Sequence, residues 1–287
     1  MGEIRDRMFA DLTIGGYSER TREVYVFYAK QYVRHFRRSP AEMGADEVRA
    51  FLLHMVTERK LSRETVRIAR ASLKFLYGVT LQRPVEVDWI PVPRQQKRLP
   101  VVLSGSEVAS LLAAVRSPRY RTLMEAMYAS GLRIAEACKL RVEDVDSKRG
   151  VLRVRGKGDR ERITMLSTRL LAHLREYWQE QRPGRGEAWL FPGMHQRNFL
   201  SPSAVRTVFR QAATQAGLPR KVTPHCLRHS FATHLIQLGV DVTVVQALLG
   251  HRSLVSTEKY VHVSTKQLLG TQSPFDLLGT DKARVLG

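Results

Sequence analysis

The sequence has little of what several large classes of protein require. It contains two cysteines, Cys138 and Cys226, too few for a disulfide framework or a cysteine zinc site. No stretch approaches the roughly 18 consecutive apolar residues of a membrane-spanning helix, and the N-terminal residues lack the apolar segment of a signal peptide. A P-loop of the form G-x-x-x-x-G-K-[ST] is absent as well. These absences favour a protein of a reducing, cytoplasmic compartment with no membrane partner.

Negative charge is also scarce, and its shortage is informative. Against 47 lysines and arginines, the 287-residue chain has 27 aspartates and glutamates, which gives a formal net charge of +20. Such an excess costs self-repulsion unless a polyanion relieves it, and nucleic acid is the usual polyanion. We therefore expect binding to DNA or RNA that weakens as salt rises. A ribosome-associated or membrane-surface protein would share this composition, so charge indicates a class of partner and no chemistry.

From Ser18 to about Leu81, the apolar residues have the spacing of amphipathic helices. Three segments carry the pattern, at about 21–36, 45–58 and 62–79, and Ser62 is predicted to be the N-cap of the third. The core candidates are Val24, Tyr25, Tyr28, Tyr32, Val33, Phe36, Val48, Phe51, Leu52, Met55, Ile68, Leu73 and Leu76.

The third of these helices also carries positive charges along one side, at spacings of three and four residues. We call this set the basic stripe; it consists of Arg63, Arg67, Arg70 and Lys74. A merely solvated helix face would look the same, but the strongly basic chain favours contact with phosphates.

Prolines then interrupt the helical pattern. Pro84, Pro91, Pro93 and Pro100 forbid a helix and favour an extended linker. Three further candidate DNA-binding residues lie within it: Arg94, Lys97 and Arg98. We therefore predict a helical N-terminal domain at 1–82, an extended basic linker at 83–100 and a second domain with a C-terminal tail at 101–287.

The second domain is predicted to be mixed. Helices are expected at about 104–115, 119–130, 133–140, 168–181, 202–216, 224–238 and 241–249, with a shorter one that includes Tyr260. The segment GVLRVRGKGDRERITML has two alternating runs around a Gly-Lys-Gly-Asp turn, which predicts a β-hairpin with Lys157 near its tip. The fold class is therefore mainly α with a small β-hairpin or sheet, that is, α+β.

The segment TPHCLRHSFATHL predicts a helix that opens on a candidate anion site. Thr223 is the expected N-cap and Pro224 the first-turn proline. His225 then lies in the first turn, where backbone N–H groups favour an anion, and Arg228 lies three residues later on the same face. A phosphate suits this combination. A lone helical histidine is more often structural, and that reading applies to His225, His229 and His234 taken singly.

A second cationic candidate lies in SGLRIAEACKL. Gly131 is predicted to end one helix, and Arg133 to open the next, with Glu136 three residues later. Glu136 either orients Arg133 by an ion pair or sits beside it in solvent, and an isolated pair of this kind is usually a surface pair. A non-functional interpretation is also the more common one for a residue such as Lys157, since most lysines at hairpin tips are merely solvated.

The segment LGHRSLVSTEKYVHV places His251 nine positions before Tyr260. A tyrosine that attacks a phosphodiester must lose the proton of a phenol whose pKa is about 10, at a cost of about 4 kcal/mol at pH 7. The leaving sugar oxygen needs an acid, and the non-bridging oxygens need cations. The chain supplies candidates for all of these parts: Arg133, Lys157, His225, Arg228 and Tyr260, with His251 as a further donor.

Four segments, in their order along the chain, resemble the motifs of the tyrosine recombinases, the phage-integrase and Xer-type family: GLRIAEACKLRVEDVD, GKGDRERITML, TPHCLRHSFATHL and LGHRSLVSTEKYVHV. The resemblance covers about residues 100–263, and the helical N-terminal part is similar to the family's SAM-like core-binding domain. It implies that Arg133, His225, Arg228 and Tyr260 form the Arg-His-Arg-Tyr set, that Lys157 protonates the leaving 5′-oxygen, and that Glu136 and His251 complete the site. The chain looks like a minimal two-domain member of Xer or transposon type.

The resemblance also implies a reaction and its partners. Tyr260 would form a 3′-phosphotyrosyl bond that a freed 5′-hydroxyl then attacks, with no metal, cofactor or ATP. The substrate would be double-stranded DNA with inverted-repeat core sites, bound by a homotetramer that is a monomer or weak dimer in solution, with a second recombinase as a further possible partner. Part of the tail after Tyr260 would dock on a neighbouring subunit or, alternatively, fold back on its own chain. The expected location is the prokaryotic cytoplasm, at the nucleoid.

Three other functions stay open on the residues alone. A metal-dependent nuclease or transposase would use Glu143, Asp144, Asp146 and Asp159, although acidic residues between a helix and a hairpin are more often a solvated connector. Zinc hydrolysis at His225 and His229 lacks the glutamate of H-E-x-x-H. A DNA-binding protein without activity would need no complete set of catalytic residues.

Overall fold

The structure, a computed structural model, describes residues 2–83, 101–156, 161–181, 183–184, 186, 188–194, 198–219, 221–250 and 272–278. The chain divides into two compact units, Met1–Arg98 and Leu99–Gly287, and each has a hydrophobic core of its own. The predicted α+β class is confirmed, because helices dominate and a small sheet accompanies them. Except for Arg83, the predicted linker at 83–100 lies outside the described residues.

The first unit is helical. Its elements are α1 (Gly2–Ile14), α2 (Glu19–Phe36), a 3₁₀ turn (Pro40–Glu42), α3 (Ala45–Thr57), α4 (Arg63–Phe75) and a π-helical turn (Leu76–Thr80). The three helices predicted from apolar spacing are confirmed as α2, α3 and α4. Ser62 caps α4 as predicted, since its hydroxyl accepts from the Thr65 N–H over 3.2 Å.

Two findings in this unit differ from the prediction. Ile68 is 39% exposed and is not a core residue, because the buried side of α4 runs through Val66, Ala69 and Leu73 and Ile68 lies off that line. Helix α1 was not predicted, although Ile4, Met8 and Leu12 recur at spacings of four residues; Met8 and Leu12 are buried, and Ile4 packs against the same core.

The second unit contains a 3₁₀ turn (Val142–Asp144) and the remaining helices and strands, and the helices predicted between 104 and 249 agree closely with the observed ones. The helices and strands are α5 (Gly105–Ala114), α6 (Pro118–Ser130), α7 (Ile134–Cys138), β1 (Val145–Asp146), β2 (Val151–Arg155), β3 (Glu161–Met165), α8 (Thr168–Gln181), α9 (Pro202–Gln215), α10 (His225–Gln237), α11 (Val242–Leu249) and α12 (Pro274–Leu277). Thr223 is not the N-cap of α10. Pro224 takes that position, with no side-chain hydrogen bond to the helix.

The predicted hairpin is confirmed as β2 and β3, which pair antiparallel from Val151↔Met165 to Arg155↔Glu161. β1 adds a third strand, through Val145↔Leu152 and Asp146↔Val151. Two residues are too few for an alternating pattern, so the sequence did not reveal it. β3 is tied to the centre of the unit, because Thr164 Oγ1 donates to the Ser130 carbonyl over 2.9 Å and Ser130 Oγ donates to the Met165 carbonyl over 2.7 Å.

α6 is the central helix of this unit, and every residue from Thr122 to Ser130 is buried. The described part of the tail folds back on the same chain: Phe275 is buried in the core, and Ser273 Oγ donates to the Ala129 carbonyl at the end of α6. Among the described helices, none has the length and apolar character needed to span a membrane.

Candidate active site

Arg133 is positioned by a tight turn between α6 and α7. α6 ends at Gly131, whose backbone is left-handed with φ +63°. A Cβ at that position would lie 2.6 Å from the Phe231 ring, so a larger residue has no room. Arg133 donates to Glu136 twice, from its backbone N–H over 2.8 Å and from Nη1 over 2.7 Å. Its side chain is nevertheless 42% exposed, so a ligand can reach the guanidinium.

Arg228 is held in place by two backbone carbonyl groups. It projects from α10 and is only 5% exposed. Nη1 donates to the Gly131 carbonyl over 2.7 Å, and Nη2 donates to the Leu249 carbonyl over 2.6 Å. Burial and the charge of Arg133 lower the pKa of Arg228 to about 10, which still leaves the guanidinium charged at neutral pH. One side chain therefore joins the α6–α7 turn to the end of α11.

Glu136 is the anion at the centre of these arginines. It is 7% exposed, and its carboxylate oxygens lie 2.7 Å from Arg133 and 3.7 Å from Arg228. Burial raises its pKa, but the hydrogen bonds and charge of Arg162, followed by those of Arg133, lower it to about 2 overall. We call the set Arg133, Arg162, Arg228 and Glu136 the cation cluster; three positive charges surround one negative charge.

Arg162 was not identified as a site residue from the sequence. It lies on β3 and pairs with both oxygens of Glu136, from Nη1 and Nη2 over 2.9 Å each. The sequence alone does not fix which side of β3 faces inward; in the structure, β3 exposes Ile163 and directs its neighbours Arg162 and Thr164 inward. An arginine on the inner side of a strand whose isoleucine faces out is an inversion of the usual pattern and points to a buried partner.

His225 stands at the start of α10, three residues before Arg228, and is exposed. Partial burial of the ring and the positive charges of Arg206, Arg228 and Arg133 lower its pKa. The imidazole is therefore neutral at pH 7 and faces a positive environment. It can accept a proton or, in its neutral tautomer, donate a hydrogen bond.

The other two histidines of α10 differ from each other. His229 is exposed, and burial together with the charges of His225 and Arg228 lowers its pKa. His234 is fully buried, and its Nδ1 lies 2.7 Å from the Tyr128 hydroxyl. For His234, the structural interpretation is thus the right one.

The carboxylates considered for metal chemistry are engaged with arginines. Asp144 Oδ2 accepts from the Arg141 N–H over 2.8 Å, and Arg155 lies 3.3 Å from Glu143. Asp146 accepts from the Arg149 N–H. In the described part of the chain, no group of three His, Cys, Asp or Glu side chains could hold a metal ion; Asp159 lies outside that part.

The structure brings Arg133, Glu136, His225 and Arg228 together, and it leaves several predicted residues aside. Lys157, His251 and Tyr260 lie outside the described residues, as do the linker residues Arg94, Lys97 and Arg98. The basic stripe belongs to the first unit. Arg63, Arg67 and Lys74 are exposed and Arg70 is partly buried, and Arg67 lies 3.4 Å from the Glu64 carboxylate.

Two family profiles match the chain. The profile of the phage integrase family matches residues 101–267, which include the cation cluster. That of the phage integrase N-terminal SAM-like domain covers residues 4–87.

Individual relatives match over most of their length. An integrase/recombinase of Sinorhizobium fredii is 39% identical over 280 residues, which cover 97% of this chain and 90% of the relative. The tyrosine recombinase XerD of Staphylococcus aureus is 30% identical over 268 residues, 89% of each chain. Among solved structures, the XerH recombinase bound to its difH substrate before cleavage matches with a TM-score of 0.64 and 26% identity, covering 87% of this chain and 77% of that one.

Proposed function

The chain belongs to the phage integrase family of tyrosine recombinases, and from this premise we propose that it cuts and rejoins DNA strands through a 3′-phosphotyrosyl intermediate. The nucleophile is the hydroxyl of Tyr260. The proposed reaction needs no ATP, because the bond energy of the phosphodiester is kept in the protein–DNA linkage, and no metal, because arginine side chains supply the positive charge at the phosphate.

The observation that carries the proposal is the arrangement of the cation cluster. Arg228 is fixed by two carbonyl groups and Arg133 by Glu136, so both guanidinium groups are oriented before any ligand binds. Cations placed in advance stabilise charge that develops in a transition state without reorganisation at that moment. The more exposed of the two arginines, Arg133, has N–H groups left to bind phosphate oxygens. The net charge of the cluster is +2, counting three arginines against one glutamate, which suits a phosphate.

The remaining parts follow from the chemistry of the step. The phenol of Tyr260 loses its proton as it attacks phosphorus, and His225, whose pKa is lowered, is available to accept it or to hydrogen-bond the phosphate. The bond from phosphorus to the 5′-oxygen breaks, and Lys157 gives that oxygen its proton. His251 donates to a non-bridging oxygen. The second step reverses this order, with the 5′-hydroxyl of a partner strand as the nucleophile.

The assembly follows from the same reaction. Exchange between two duplexes needs four strand cleavages, so we propose a homotetramer on double-stranded DNA with inverted-repeat core sites, joined in some contexts by a second recombinase. The proposed domains are 1–82, which contacts the duplex through the basic stripe, the linker at 83–100 with Arg94, Lys97 and Arg98, and the catalytic domain at 101–287. The site of action is the DNA of the bacterial cytoplasm.

Covalent trapping tests the nucleophile. A nicked duplex whose short end diffuses away after cleavage should leave wild-type protein attached to DNA, visible as a band shifted in a denaturing gel. Tyr260→Phe should bind the same DNA and form no adduct. The matched control is Tyr17→Phe in the first unit, which should form adducts at the wild-type rate. Adducts that persist in Tyr260→Phe would refute the assignment.

Leaving-group chemistry tests Lys157. Lys157→Ala should slow cleavage far more than it weakens DNA binding. A substrate with sulfur in place of the 5′-bridging oxygen has a leaving group that needs no proton, so it should restore the rate of this variant. Cleavage that stays slow on the sulfur substrate would mean that Lys157 is not the acid.

A further inference from the structure

Arg162 makes contacts that the proposed reaction does not yet explain. Its two terminal nitrogens hold both oxygens of Glu136 over 2.9 Å each, in the parallel fork geometry that is the strongest form of arginine–carboxylate pair. Its side chain is 14% exposed. An arginine and a glutamate withdrawn from water to this degree are costly unless nearly all their hydrogen bonds are made.

The third nitrogen of the same guanidinium reaches another element. Nε donates to the Leu248 carbonyl at the end of α11 over 3.1 Å. The stem of Arg162 passes directly beneath Gly250, where a Cβ would lie 2.7 Å from Arg162 Cδ. Gly250 has a left-handed backbone with φ +62°, so the position favours glycine on two grounds. Gly250 directly precedes His251.

Arg162 therefore connects three parts of the site. β3 carries it, Glu136 of α7 accepts its fork, and the end of α11 accepts its Nε. Leu249, next to Leu248, is the residue whose carbonyl accepts from Arg228. A shift of α11 relative to α7 would accordingly disturb Arg162 and Arg228 together.

The positive charge of Arg162 also affects how strongly Glu136 binds Arg133. Glu136 orients Arg133, but a carboxylate 2.7 Å from Arg133 also competes with a phosphate for that guanidinium. The fork from Arg162 donates to both oxygens of the same carboxylate and balances its charge. Glu136 can then orient Arg133 while the positive charge of Arg133 stays available to a ligand.

We propose that Arg162 is a positioning residue for strand transfer, which holds Glu136 and the end of α11 in the arrangement that aims Arg133 and Arg228 at the phosphate. This role rests on the proposed function. Arg162 does not itself touch the DNA; it acts through Glu136 and through the backbone of α11.

The test uses the full-length protein and Arg162→Lys, which keeps the charge but loses the fork. Single-turnover cleavage of the nicked duplex at saturating protein gives a rate constant and an amplitude. Misplacement of catalytic groups by about 1 Å can cost roughly 10²-fold in rate, so we expect the rate constant to fall tenfold to 10²-fold with DNA affinity nearly unchanged. A merely structural role would lower the amplitude, as fewer molecules are folded, and leave the rate constant of the folded ones alone.

Two further variants make the outcome specific. Arg153→Lys is the matched control, because Arg153 lies on the adjacent strand β2, is exposed, and donates to the Glu143 carbonyl rather than to the cation cluster. It should cleave at the wild-type rate. In a Glu136→Gln background, Arg162→Lys should add little further loss, since residues that act through one another are not additive. The urea midpoint of unfolding confirms that each variant is folded under assay conditions.

The results separate this role from the proposed function. If wild-type protein and Arg153→Lys form adducts and Arg162→Lys forms them with an unchanged rate constant, the positioning role is overturned and strand transfer stands. Full additivity of the two substitutions would likewise overturn action through Glu136. If the wild-type protein forms no adduct on any nicked duplex, the proposed function fails and this role fails with it.

Discussion

The cation cluster and the basic stripe contain the same kind of side chain in opposite settings. In the cluster, Arg228 is 5% exposed and donates to two backbone carbonyl groups. In the stripe, the Arg67 side chain is 47% exposed, and the carboxylate of Glu64, 3.4 Å away, is more exposed still. Exposed pairs of this kind contribute about 0–1 kcal/mol and compete poorly with solvent.

The difference shows two ways of using positive charge toward one polyanion. A guanidinium held by carbonyl groups has a fixed direction, which is what a single reacting phosphate requires. Solvated arginines on a helix adapt to whichever phosphates lie nearby and bind a duplex without regard to sequence. Substitutions should therefore affect geometry in the cluster and affinity in the stripe, and the variants below test that division.

Arg228→Lys should have the largest effect. An ammonium cannot reproduce the planar fork that serves the Gly131 and Leu249 carbonyls at once. Loss of one oriented donor to a transition state costs roughly 10² to 10³ in rate, and we expect a fall in cleavage rate of that order on the nicked duplex. Arg175→Lys, an exposed arginine of α8, should leave the rate unchanged. Equal cleavage rates for Arg228→Lys and wild type would refute the claim that the buried carbonyl contacts orient Arg228 for the reaction.

The second-largest effect is expected from acid, which should reduce the stability contributed by the cation cluster. The pKa of Glu136 falls from 4.5 to about 2 on folding, against the effect of burial, because Arg162 and Arg133 stabilise the carboxylate. The folded state thus binds fewer protons than the unfolded state between these values. The resulting stability, about 3 kcal/mol at one pKa unit per 1.36 kcal/mol, is complete above about pH 4.5 and is lost as the pH falls toward 2.

Urea unfolding at pH 6 and pH 3 measures this contribution. Glu136→Gln should be less stable than wild type at pH 6, and the difference in unfolding free energy between the two should be smaller at pH 3. Glu64→Gln, next to the basic stripe, should follow the wild-type curve at both pH values, because Glu64 is exposed. A wild-type protein that loses no more stability than Glu136→Gln on acidification would contradict the ion pairs described.

How much of this the sequence could predict depends on the distance that each interaction spans along the chain. Helix α7, with Arg133 and Glu136 three residues apart, and helix α10, with His225 and Arg228 three residues apart, follow from local spacing. The hairpin follows from alternation around a glycine turn. Local patterns therefore located the candidate residues and the elements that carry them.

Arg162 shows why the rest could not be predicted. Its partners Glu136 and Leu248 lie 26 and 86 residues away, and no periodicity encodes such pairs. The prediction for Ile68 failed for a related reason, because apolar spacing alone did not fix which side of α4 faces the core. Tertiary packing decided both cases.

The pH dependence of cleavage should separate His225 from the arginines. Burial and three neighbouring arginines lower its pKa, so the ring takes up a proton only below its ordinary value of about 6.5. If neutral His225 assists the attack, the rate at low DNA concentration should be level near pH 7 and fall about tenfold per pH unit once the pH is below the lowered pKa. His225→Gln should be slower and lack this acid limb. An unchanged limb in that variant would assign the titration to another group.

The smallest effect is expected in the stripe. Arg67→Gln removes one exposed charge, so DNA affinity should fall only a few-fold and the slope of log affinity against log salt should drop by about 1. Glu64→Gln should have the opposite effect and raise DNA affinity. The Glu64 carboxylate, 3.4 Å from Arg67, competes with a phosphate for that arginine, and the substitution removes this competitor. Neither substitution should change the single-turnover rate constant at saturating protein. A change in that rate constant, with affinity unaltered, would mean that the first unit also positions the reacting strand and that the division between binding and geometry does not hold.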